Sequence, residues 1–300
     1  MRAVVTGGAG FIGSHVVEAL LARGDEVHVL DDLSKGRPEN VPAGATLHEA
    51  DIREPDAVFE AVRPQVVVHL AAQADVRVSV ERPAYDADIN VLGTLRILEA
   101  ARSHGAQVVF ASTGGAIYGE CDGPAPETAE RRPLAPYGTS KLCGEEYLAT
   151  WNRLYGTPHV SLRFANVYGP RQVAHGEAGV VAIFMGLLSD GGTPTIYGDG
   201  SQTRDYTFVG DVARAVVAAI GTEGGIYNVG TGVETSVVEL YEAIQRAAGV
   251  ERGAEHGAAR LGELQRSVLD PSLAARRLGW RAELPLAEGL AETWSWVKEL

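Results

Sequence analysis

Through the first two-thirds of the chain, segments with the apolar pattern of a β-strand alternate with segments that have helical spacing of apolar residues. A β-branched run, Met1–Thr6, ends in glycines, and Phe11–Arg23 then repeats apolar residues at helical intervals. Further strands are predicted at Val27–Leu30, Thr46–Glu49, Val66–Leu70, Gln107–Ala111 and Val160–Phe164. Further helices are predicted at Pro55–Val62, Ala84–Ser103 and Pro136–Tyr155. Near-continuous apolar strands between helices predict an α/β fold, a doubly wound parallel sheet with a ligand at the strand carboxyl ends.

The last third changes character. Its predicted strands are Thr195–Tyr197, Tyr206–Phe208 and Ile226–Val229, and its predicted helices begin near Val209, Ser236, Ser272 and Pro285. No linker rich in proline, serine or glycine separates it from the rest. We expect a cofactor-binding domain over residues 1–170, to which some later strands and helices return. Residues 171–300 then form mainly a smaller α/β lobe, with substrate held between the two parts.

A glycine turn joins the first strand to the first helix in the spacing Gly7-x-x-Gly10-x-x-Gly13. Gly7 and Gly10 permit the tight turn and let backbone N–H groups, including those of Phe11 and Ile12, approach a pyrophosphate. Gly13 lets the helix pack closely on the strand. This pattern predicts a dinucleotide site of the Rossmann type.

The end of the second strand indicates which dinucleotide is bound. Asp31 follows Gly13 by 18 residues, where a carboxylate accepts both ribose hydroxyls, and Asp32 follows it. Because Asp31 would repel a 2′-phosphate, NAD is expected rather than NADP. Lys35 and Arg37 could offset that repulsion, although such residues more often form a solvated loop edge.

Two more strand ends face the same predicted site. Asp51 and Ile52 follow the third strand, where they could contact the adenine ring. The fourth strand ends in small side chains that would line the dinucleotide, and the residues concerned are Leu70, Ala71, Ala72 and Gln73.

The predicted helix Pro136–Tyr155 carries Tyr137 and Lys141 one turn apart, on one face. A nearby ammonium favours the phenolate, which lowers a phenol pKa that starts near ~10. Such a tyrosine can remove a proton from a sugar hydroxyl while a nicotinamide accepts the hydride. With the glycine turn, the pair predicts oxidoreductase-type chemistry.

Bulk composition excludes several classes of protein. Of the residues, 45% are hydrophobic and 22% charged, as in ordinary globular proteins, and the net charge of -13 argues against nucleic acid binding. Neither a membrane span nor a secretory leader is expected. Cys121 and Cys143 form no metal-spaced motif, so we expect no metal site and interpret them as reduced thiols of a cytoplasmic protein.

The chain resembles the extended short-chain dehydrogenase/reductases, and within them the UDP-glucose 4-epimerases. The resemblance covers essentially the whole chain. The matching segments are Thr6–His15, His69–Ala72, Asn90, Tyr118-Gly119, Tyr137–Lys141, Leu162–Arg171, Tyr197–Gly200, Arg204–Tyr206 and Asn228–Gly232.

The resemblance implies NAD as cofactor, a UDP-sugar as substrate, and a homodimer joined by a four-helix bundle. The bundle would use the Ala84–Ser103 and Pro136–Tyr155 helices. It further implies a cofactor contact for Asn90 and substrate contacts for four residues of the second part of the chain. These are Asn166, Tyr197, Arg204, which would pair with a phosphate in bidentate fashion, and Arg260, a second phosphate ligand. Relatives commonly read Arg-x-Gly-Asp where this chain has Arg260-Leu261-Gly262-Glu263.

One catalytic position departs from the family pattern. The usual Ser/Thr lies four residues before Tyr118, where this chain has Gly114. The neighbouring Thr113 could direct its hydroxyl at the sugar O4, or it could merely cap the end of a strand. The acid and base that dehydratases carry would stand at Gly115 and Ala116, which cannot transfer protons, so dehydration and decarboxylation are disfavoured.

We therefore expect an NAD-dependent C4 epimerase of UDP-glucose and UDP-galactose, working through a 4-keto sugar. The alternatives are an epimerase or reductase of another nucleotide sugar (a UDP-uronic acid or a dTDP-sugar), and a non-catalytic NAD-binding regulatory protein. Family position counted from Gly262 puts Ser267 at the wall of the hexose pocket. A serine there predicts that N-acetylhexosamines are also accepted, unless His175 or Arg171 fills the space.

Overall fold

A computed structural model describes residues 1–173, 179–260 and 264–300. The strands of the first part are β1 (Arg2–Thr6), β2 (Glu26–Asp31), β3 (Thr46–Glu49), β4 (Val66–His69), β5 (Gln107–Thr113) and β6 (Val160–Phe164). The helices of the first part are α1 (Phe11–Ala22), α2 (Asp56–Val62), α3 (Val76–Glu81), α4 (Pro83–Ala87), α5 (Thr94–His104), α6 (Gly114–Ile117) and α7 (Pro136–Tyr155). A 3-10 turn (Pro38–Asn40) follows β2, and a π-helical segment (Asp88–Gly93) joins α4 to α5.

The later strands are β7 (Asn166–Tyr168), β8 (Thr195–Tyr197), β9 (Thr203–Arg204), β10 (Tyr206–Phe208), β11 (Gly225–Val229), β12 (Thr235–Ser236), β13 (Glu255–Gly257) and β14 (Arg266–Ser267). The later helices are α8 (Val180–Ser189), α9 (Val209–Ala219), α10 (Val237–Ala248), α11 (Ser272–Arg277) and α12 (Leu286–Val297). Among the described residues, no helix is both long and apolar enough to cross a membrane.

Within the described ranges, seven parallel strands form the main sheet in the order β11-β6-β5-β4-β1-β2-β3. The predicted doubly wound parallel fold is confirmed. The direction of winding reverses between β1 and β4, and ligands of such sheets bind at the strand carboxyl ends beside this reversal. The strand β11 comes from the last third of the chain and extends the sheet beyond β6. The helix α9, which precedes β11, comes from the same part of the chain.

Both faces of the sheet are covered, which explains the near-continuous apolar strands. In β1, Ala3 and Val5 pack into one buried cluster, whereas Val4 packs into the cluster on the opposite face. Successive side chains of a strand point to opposite faces, so a doubly covered strand buries every position.

A third hydrophobic cluster lies in the smaller part, where α8, α10 and α12 pack together. It buries Phe184, Leu240 and Trp294, among others. Three short sheets accompany it, pairing β10 with β7, β9 with β12 and β14, and β13 with β8. The helix α8 was not predicted from the sequence.

The predicted helix Ala84–Ser103 contains a π-helical turn between α4 and α5. This turn ends at Gly93, where a Cβ atom would lie 2.7 Å from the Cδ1 atom of Ile52. The close approach of Ile52 therefore requires a glycine. The π-turn turns Asn90 inward, so that this residue is 2% exposed.

Candidate active site

The glycine turn has the geometry that its sequence predicts. Gly7 has φ +69°, and a Cβ atom there would lie 2.8 Å from the backbone nitrogen of Ala71. A Cβ atom on Gly13 would lie 2.1 Å from the Gly7 carbonyl oxygen, so α1 packs on β1 only because both residues are glycine. Gly10 begins α1 without a capping side chain, which leaves the first-turn N–H groups to face a ligand.

Asp31 closes the far side of this turn. Its carboxylate accepts hydrogen bonds from the backbone N–H groups of Ala9 (3.0 Å) and Leu33 (3.0 Å). Burial raises the pKa of Asp31, against the lowering effect of these two hydrogen bonds. Gly36 packs against the same carboxylate, since a Cβ atom there would lie 2.6 Å from the Asp31 Oδ1 atom. The loop after β2 thus fixes the acidic side chain at the edge of the cleft.

A cleft of about 540 Å³ runs along the carboxyl ends of the strands. Its lining includes the glycine turn and, from the predicted cofactor residues, Phe11, Ile12, Asp31, Asp32, Leu70, Ala71 and Ala72. It also includes Lys35 and Arg37, together with Thr113, Tyr137, Lys141 and Asn166. The residues above enclose a space with the donors and the carboxylate that a dinucleotide requires.

Lys141 lies at the bottom of this cleft and is 3% exposed. Its Nζ atom donates to the Ala111 carbonyl oxygen at 2.9 Å and lies 4.8 Å from the centre of the Phe110 ring. Burial lowers the pKa of Lys141 to about 8, against the opposing coulombic effects of Asp86 and Glu145. Its ammonium therefore carries its charge at neutral pH but can release a proton under mildly alkaline conditions.

Tyr137 and Thr113 line the cleft together with Lys141. Tyr137 stands in the first turn of α7, one turn before Lys141, and Thr113 ends β5. Thr113 also precedes α6, but its side chain makes no capping hydrogen bond to that helix. Its role, as the hydroxyl at the sugar O4 or as the cap of a strand end, stays a prediction.

The glycine at the family's Ser/Thr position has a packing cause. A Cβ atom on Gly114 would lie 2.5 Å from the Cδ1 atom and 2.7 Å from the Cδ2 atom of Leu269, which is 1% exposed. Gly115 is different, because a Cβ atom there would meet only the Asn166 Oδ1 atom, at 3.6 Å. Leu269 thus excludes a side chain at 114. The adjacent hydroxyl residues in the cleft lining are Thr113 and Ser112, and the Ser112 hydroxyl donates to Glu145.

A buried ion pair and its hydrogen bonds stabilise the segment that carries Thr113. Arg163 donates to both carboxylate oxygens of Glu145, at 2.8 and 2.6 Å, and both residues are about 1% exposed. Glu145 also accepts from the Ser112 hydroxyl at 2.5 Å, and Arg163 donates to the Tyr118 hydroxyl at 2.6 Å. Tyr118 in turn donates to Asn228 at 2.8 Å, and burial raises its pKa to about 12. This network fixes Ser112, which directly precedes Thr113, and Tyr118, which lies at the end of α6.

Four residues expected to contact the cofactor do not line the cleft: Asp51, Ile52, Gln73 and Asn90. Asp51 forms an exposed ion pair with Arg53, and Ile52 belongs to the hydrophobic core. The Asn90 amide is engaged with the Gln73 backbone, donating to its carbonyl oxygen at 2.8 Å and accepting from its N–H group at 2.9 Å. The side-chain amides of Asn90 and Gln73 are satisfied within the protein, and a cofactor contact for these four residues stays a prediction.

Of the expected substrate residues, Asn166 lines the cleft, whereas Tyr197, Arg204, Arg260 and Ser267 lie outside its lining. Arg204 on β9 pairs in register with Ser267 on β14, which is 7% exposed. The Arg260 guanidinium stacks on the Tyr197 ring, 3.9 Å from its centre. These four residues form two pairs in the smaller part of the chain.

Some expectations fall on residues outside the described ranges, namely His175, Gly262 and Glu263. Conversely, the cleft includes residues that the sequence did not single out. They are Ser34, Gly36, Asn40, Ala74, Gln172, Val173, Gly179, Val180 and Val181. No local pattern marks them, because they reach the cleft only when α8 and the loops pack over the strand ends.

Comparisons with known proteins show which family model and which solved structures this chain matches. The model of the NAD dependent epimerase/dehydratase family matches residues 3–230. The structure is similar to the UDP-glucose 4-epimerase of Thermotoga maritima, solved with UDP-glucose (42% identity, TM-score 0.97, covering 100% of this chain and 99% of that one). It is also similar to the UDP-glucose 4-epimerase of Thermus thermophilus, solved with NAD (48% identity, TM-score 0.93, covering 99% of this chain and 99% of that one). A third similar structure is the UDP-N-acetylglucosamine 4-epimerase of Methanobrevibacter ruminantium, in complex with UDP-N-acetylmuramic acid (32% identity, TM-score 0.94, covering 98% of this chain and 97% of that one).

Proposed function

We propose that this chain, which belongs to the NAD-dependent epimerase/dehydratase family, inverts C4 of a UDP-hexose through a 4-keto sugar. The observation that carries the proposal is the meeting of Tyr137, Lys141 and Thr113 in the cleft that also contains the glycine turn. The adjacent positions Gly115 and Ala116 offer no acid or base for dehydration. The chemistry available is therefore proton transfer at one hydroxyl together with hydride transfer at its carbon.

NAD, when bound in this cleft, would supply the nicotinamide that exchanges hydride with the sugar. Backbone N–H groups of Phe11 and Ile12 would hold its pyrophosphate, and Asp31 would accept hydrogen bonds from its ribose hydroxyls. Because Asp31 would repel a 2′-phosphate, NAD rather than NADP is expected in the nucleotide released by denaturation. Predominant NADP would contradict this assignment, and the cleft residues Lys35 and Arg37 would then be its ligands.

The proton steps fall to this chain's own residues. Tyr137, as a phenolate, removes the proton of the C4 hydroxyl, while Thr113 donates a hydrogen bond to O4 and orients it. The Lys141 ammonium stabilises the phenolate and would also hydrogen-bond the nicotinamide ribose. After the 4-keto sugar has turned over about its pyrophosphate and C4 is reduced on its opposite face, Tyr137 returns the proton to O4. Asn166, Arg204 and Arg260 hold the nucleotide sugar during this rotation, the two arginines at its phosphates.

The assay is turnover of UDP-glucose by purified protein without added NAD, with the hexoses resolved afterwards. UDP-galactose is expected, with no net consumption of reduced cofactor. A reductase would instead consume reduced cofactor in proportion to product. The absence of exchange with any UDP- or dTDP-linked sugar would refute the proposal and favour a regulatory NAD-binding protein.

Replacement of the proposed base sharpens the test. Tyr137→Phe is expected to lose most turnover while keeping its melting temperature. Tyr147→Phe is the matched control, since Tyr147 stands on the same helix, is 37% exposed and lies outside the cleft lining. Near wild-type turnover by Tyr137→Phe would exclude Tyr137 as the base.

Sugar breadth is proposed to depend on Ser267. A serine in place of a bulky aromatic residue leaves room that an acetamido group would occupy. We expect epimerisation of UDP-N-acetylglucosamine alongside UDP-glucose, and Ser267→Tyr should selectively suppress the former. Rejection of UDP-N-acetylglucosamine by the unmodified protein would show that another residue, such as Arg171, closes the pocket.

We further propose that the chain forms a homodimer through α5, the preceding π-turn and α7. Support comes from large apolar side chains that are exposed on these helices, namely Leu92, Tyr147, Leu154 and Tyr155. Leu92→Glu is expected to yield monomers in light scattering. Val233→Glu, at a comparably exposed residue in the smaller part, should leave the mass unchanged.

The thiols Cys121 and Cys143, both unpaired, are consistent with the proposed cytoplasmic location.

A further inference from the structure

Two buried carboxylates act on the Lys141 ammonium, and they differ in how far their charge is cancelled. Glu145 is held by the buried guanidinium of Arg163 through two hydrogen bonds, at 2.8 and 2.6 Å. A bidentate partner of opposite charge neutralises most of the field of a carboxylate. The charge of Glu145 that reaches Lys141 is therefore small.

Asp86 has no such cation among its hydrogen-bond partners in the described part of the chain. It is fully buried, and its oxygens accept from the Ser140 hydroxyl at 2.5 Å, the Gln73 amide at 2.9 Å and the Asn90 amide at 3.0 Å. All three donors are neutral. They satisfy the carboxylate oxygens without supplying a compensating positive charge.

The position of Asp86 directs that charge at Lys141. Ser140, which bonds Asp86, is the residue before Lys141, so the hydrogen bond fastens α4 to the catalytic turn of α7. No direct ion pair between Asp86 and Lys141 occurs in the described residues, and the interaction is coulombic across the protein interior. In an environment without water, such an interaction is screened only weakly.

The other titratable groups near Lys141 do not replace Asp86. His69 on β4 is buried, and burial together with the charge of Lys141 lowers its pKa to about 3, so it is neutral at neutral pH. Tyr137 is the group that Lys141 serves, and Glu145 is paired with Arg163. Burial lowers the pKa of Lys141, and Asp86 is the buried carboxylate without a cationic hydrogen-bond partner that opposes this effect.

We propose that Asp86 is a positioning residue of the active site, whose buried charge holds Lys141 as an ammonium and thereby sustains the phenolate of Tyr137. Gln73 and Asn90, which do not line the cleft, act by orienting Asp86. The part of this inference that concerns Tyr137 rests on the proposed epimerase mechanism. The part that concerns Lys141 is independent of any reaction.

The direct test is the titration of Lys141 by nuclear magnetic resonance in protein labelled at the lysine ε-carbon, purified with its nucleotide. The chain has three lysines, Lys35, Lys141 and Lys298, and Lys141→Arg identifies the signal by its loss. Asp86→Asn keeps the shape and acceptor oxygen but removes the charge. We expect it to lower the Lys141 midpoint by about one pH unit or more, as for loss of a nearby opposite charge.

Ser140→Ala is the matched control, because it removes one hydrogen bond from Asp86 but keeps the charge. It is expected to leave the Lys141 midpoint in place. The inference is overturned if Asp86→Asn leaves the midpoint unchanged, or if Ser140→Ala moves it equally. Because the titration needs no turnover, it decides the role of Asp86 even if no nucleotide sugar is epimerised.

Kinetics supply a second readout. Asp86→Asn should lower kcat for UDP-glucose at neutral pH without changing KM, because Asp86 lies outside the cleft lining. A raised KM with unchanged kcat would contradict the inference. Should Asp86→Asn fail to fold, removal of both charges in Asp86→Asn/Lys141→Met is expected to restore folding, and a double variant that remains unfolded would also overturn it.

Discussion

Gly114→Ala tests the packing explanation for the glycine at the usual Ser/Thr position. The new Cβ atom would lie 2.5 and 2.7 Å from the two terminal methyl carbons of Leu269. Leu269 cannot swing aside easily, because it is 1% exposed in a cluster with Ile117, Tyr118 and Ala125. Such overpacking costs about 1–3 kcal/mol of folding free energy.

Gly115→Ala is the matched control within α6. Its Cβ atom would have only the Asn166 Oδ1 atom nearby, at an ordinary contact distance of 3.6 Å. Both substitutions gain the same helix propensity, about 1 kcal/mol, so this contribution cancels when the two variants are compared. The variants should differ by about 1–3 kcal/mol, which corresponds to roughly 2–12 °C in Tm at about 2–4 °C per kcal/mol.

The assay is thermal unfolding followed by circular dichroism, with Gly114→Ala melting below Gly115→Ala. Leu269→Ala should be less destabilising in the Gly114→Ala background than alone, because the shortened side chain admits the new methyl group. Equal melting temperatures for the two glycine variants would refute the argument. The family hydroxyl could then be restored at 114 without strain, and the assignment of Thr113 would lose its structural basis.

Three other outcomes are expected. Thr113→Ala should lower kcat by about 10- to 100-fold, the effect of one hydrogen bond to a charged group, and Thr113→Ser should keep most activity; equal activity of both variants would exclude a role for the hydroxyl. Arg163→Met should lower the free energy of unfolding in urea by about 3–5 kcal/mol, because it leaves Glu145 buried without its partner, and Glu145→Leu in the same chain should recover part of this loss. Burial lowers the pKa of His69 to about 3 and of His159 to about 4, so the unfolded chain binds protons that the folded chain does not. The free energy of unfolding should therefore fall as the pH drops from 6.5 toward 4. His159→Asn should reduce this pH dependence, measured as urea midpoints across that range.

The features of this protein that can be predicted from its sequence are those that consecutive residues determine. The strand Val160–Phe164 and the helix Pro136–Tyr155 occur where the pattern predicts them, because burial on both faces and helical spacing are recorded in consecutive residues. The glycine turn is equally local, since Gly7 adopts φ +69° and Gly13 has no room for a side chain. The spacing of Tyr137 and Lys141 follows from helix geometry alone.

Only the tertiary structure decided what surrounds those residues. Leu269 reaches Gly114 from 155 positions along the chain, and no local pattern records that contact. The π-turn before α5 turns Asn90 away from the cleft and toward Asp86, although the sequence there reads as an ordinary helix. The charge of the buried Glu145 carboxylate is compensated by a cation, whereas that of Asp86 is not. This difference depends on which side chains the fold brings beside each carboxylate. Sequence supplies the reactive groups, and packing between distant segments sets their charge and orientation.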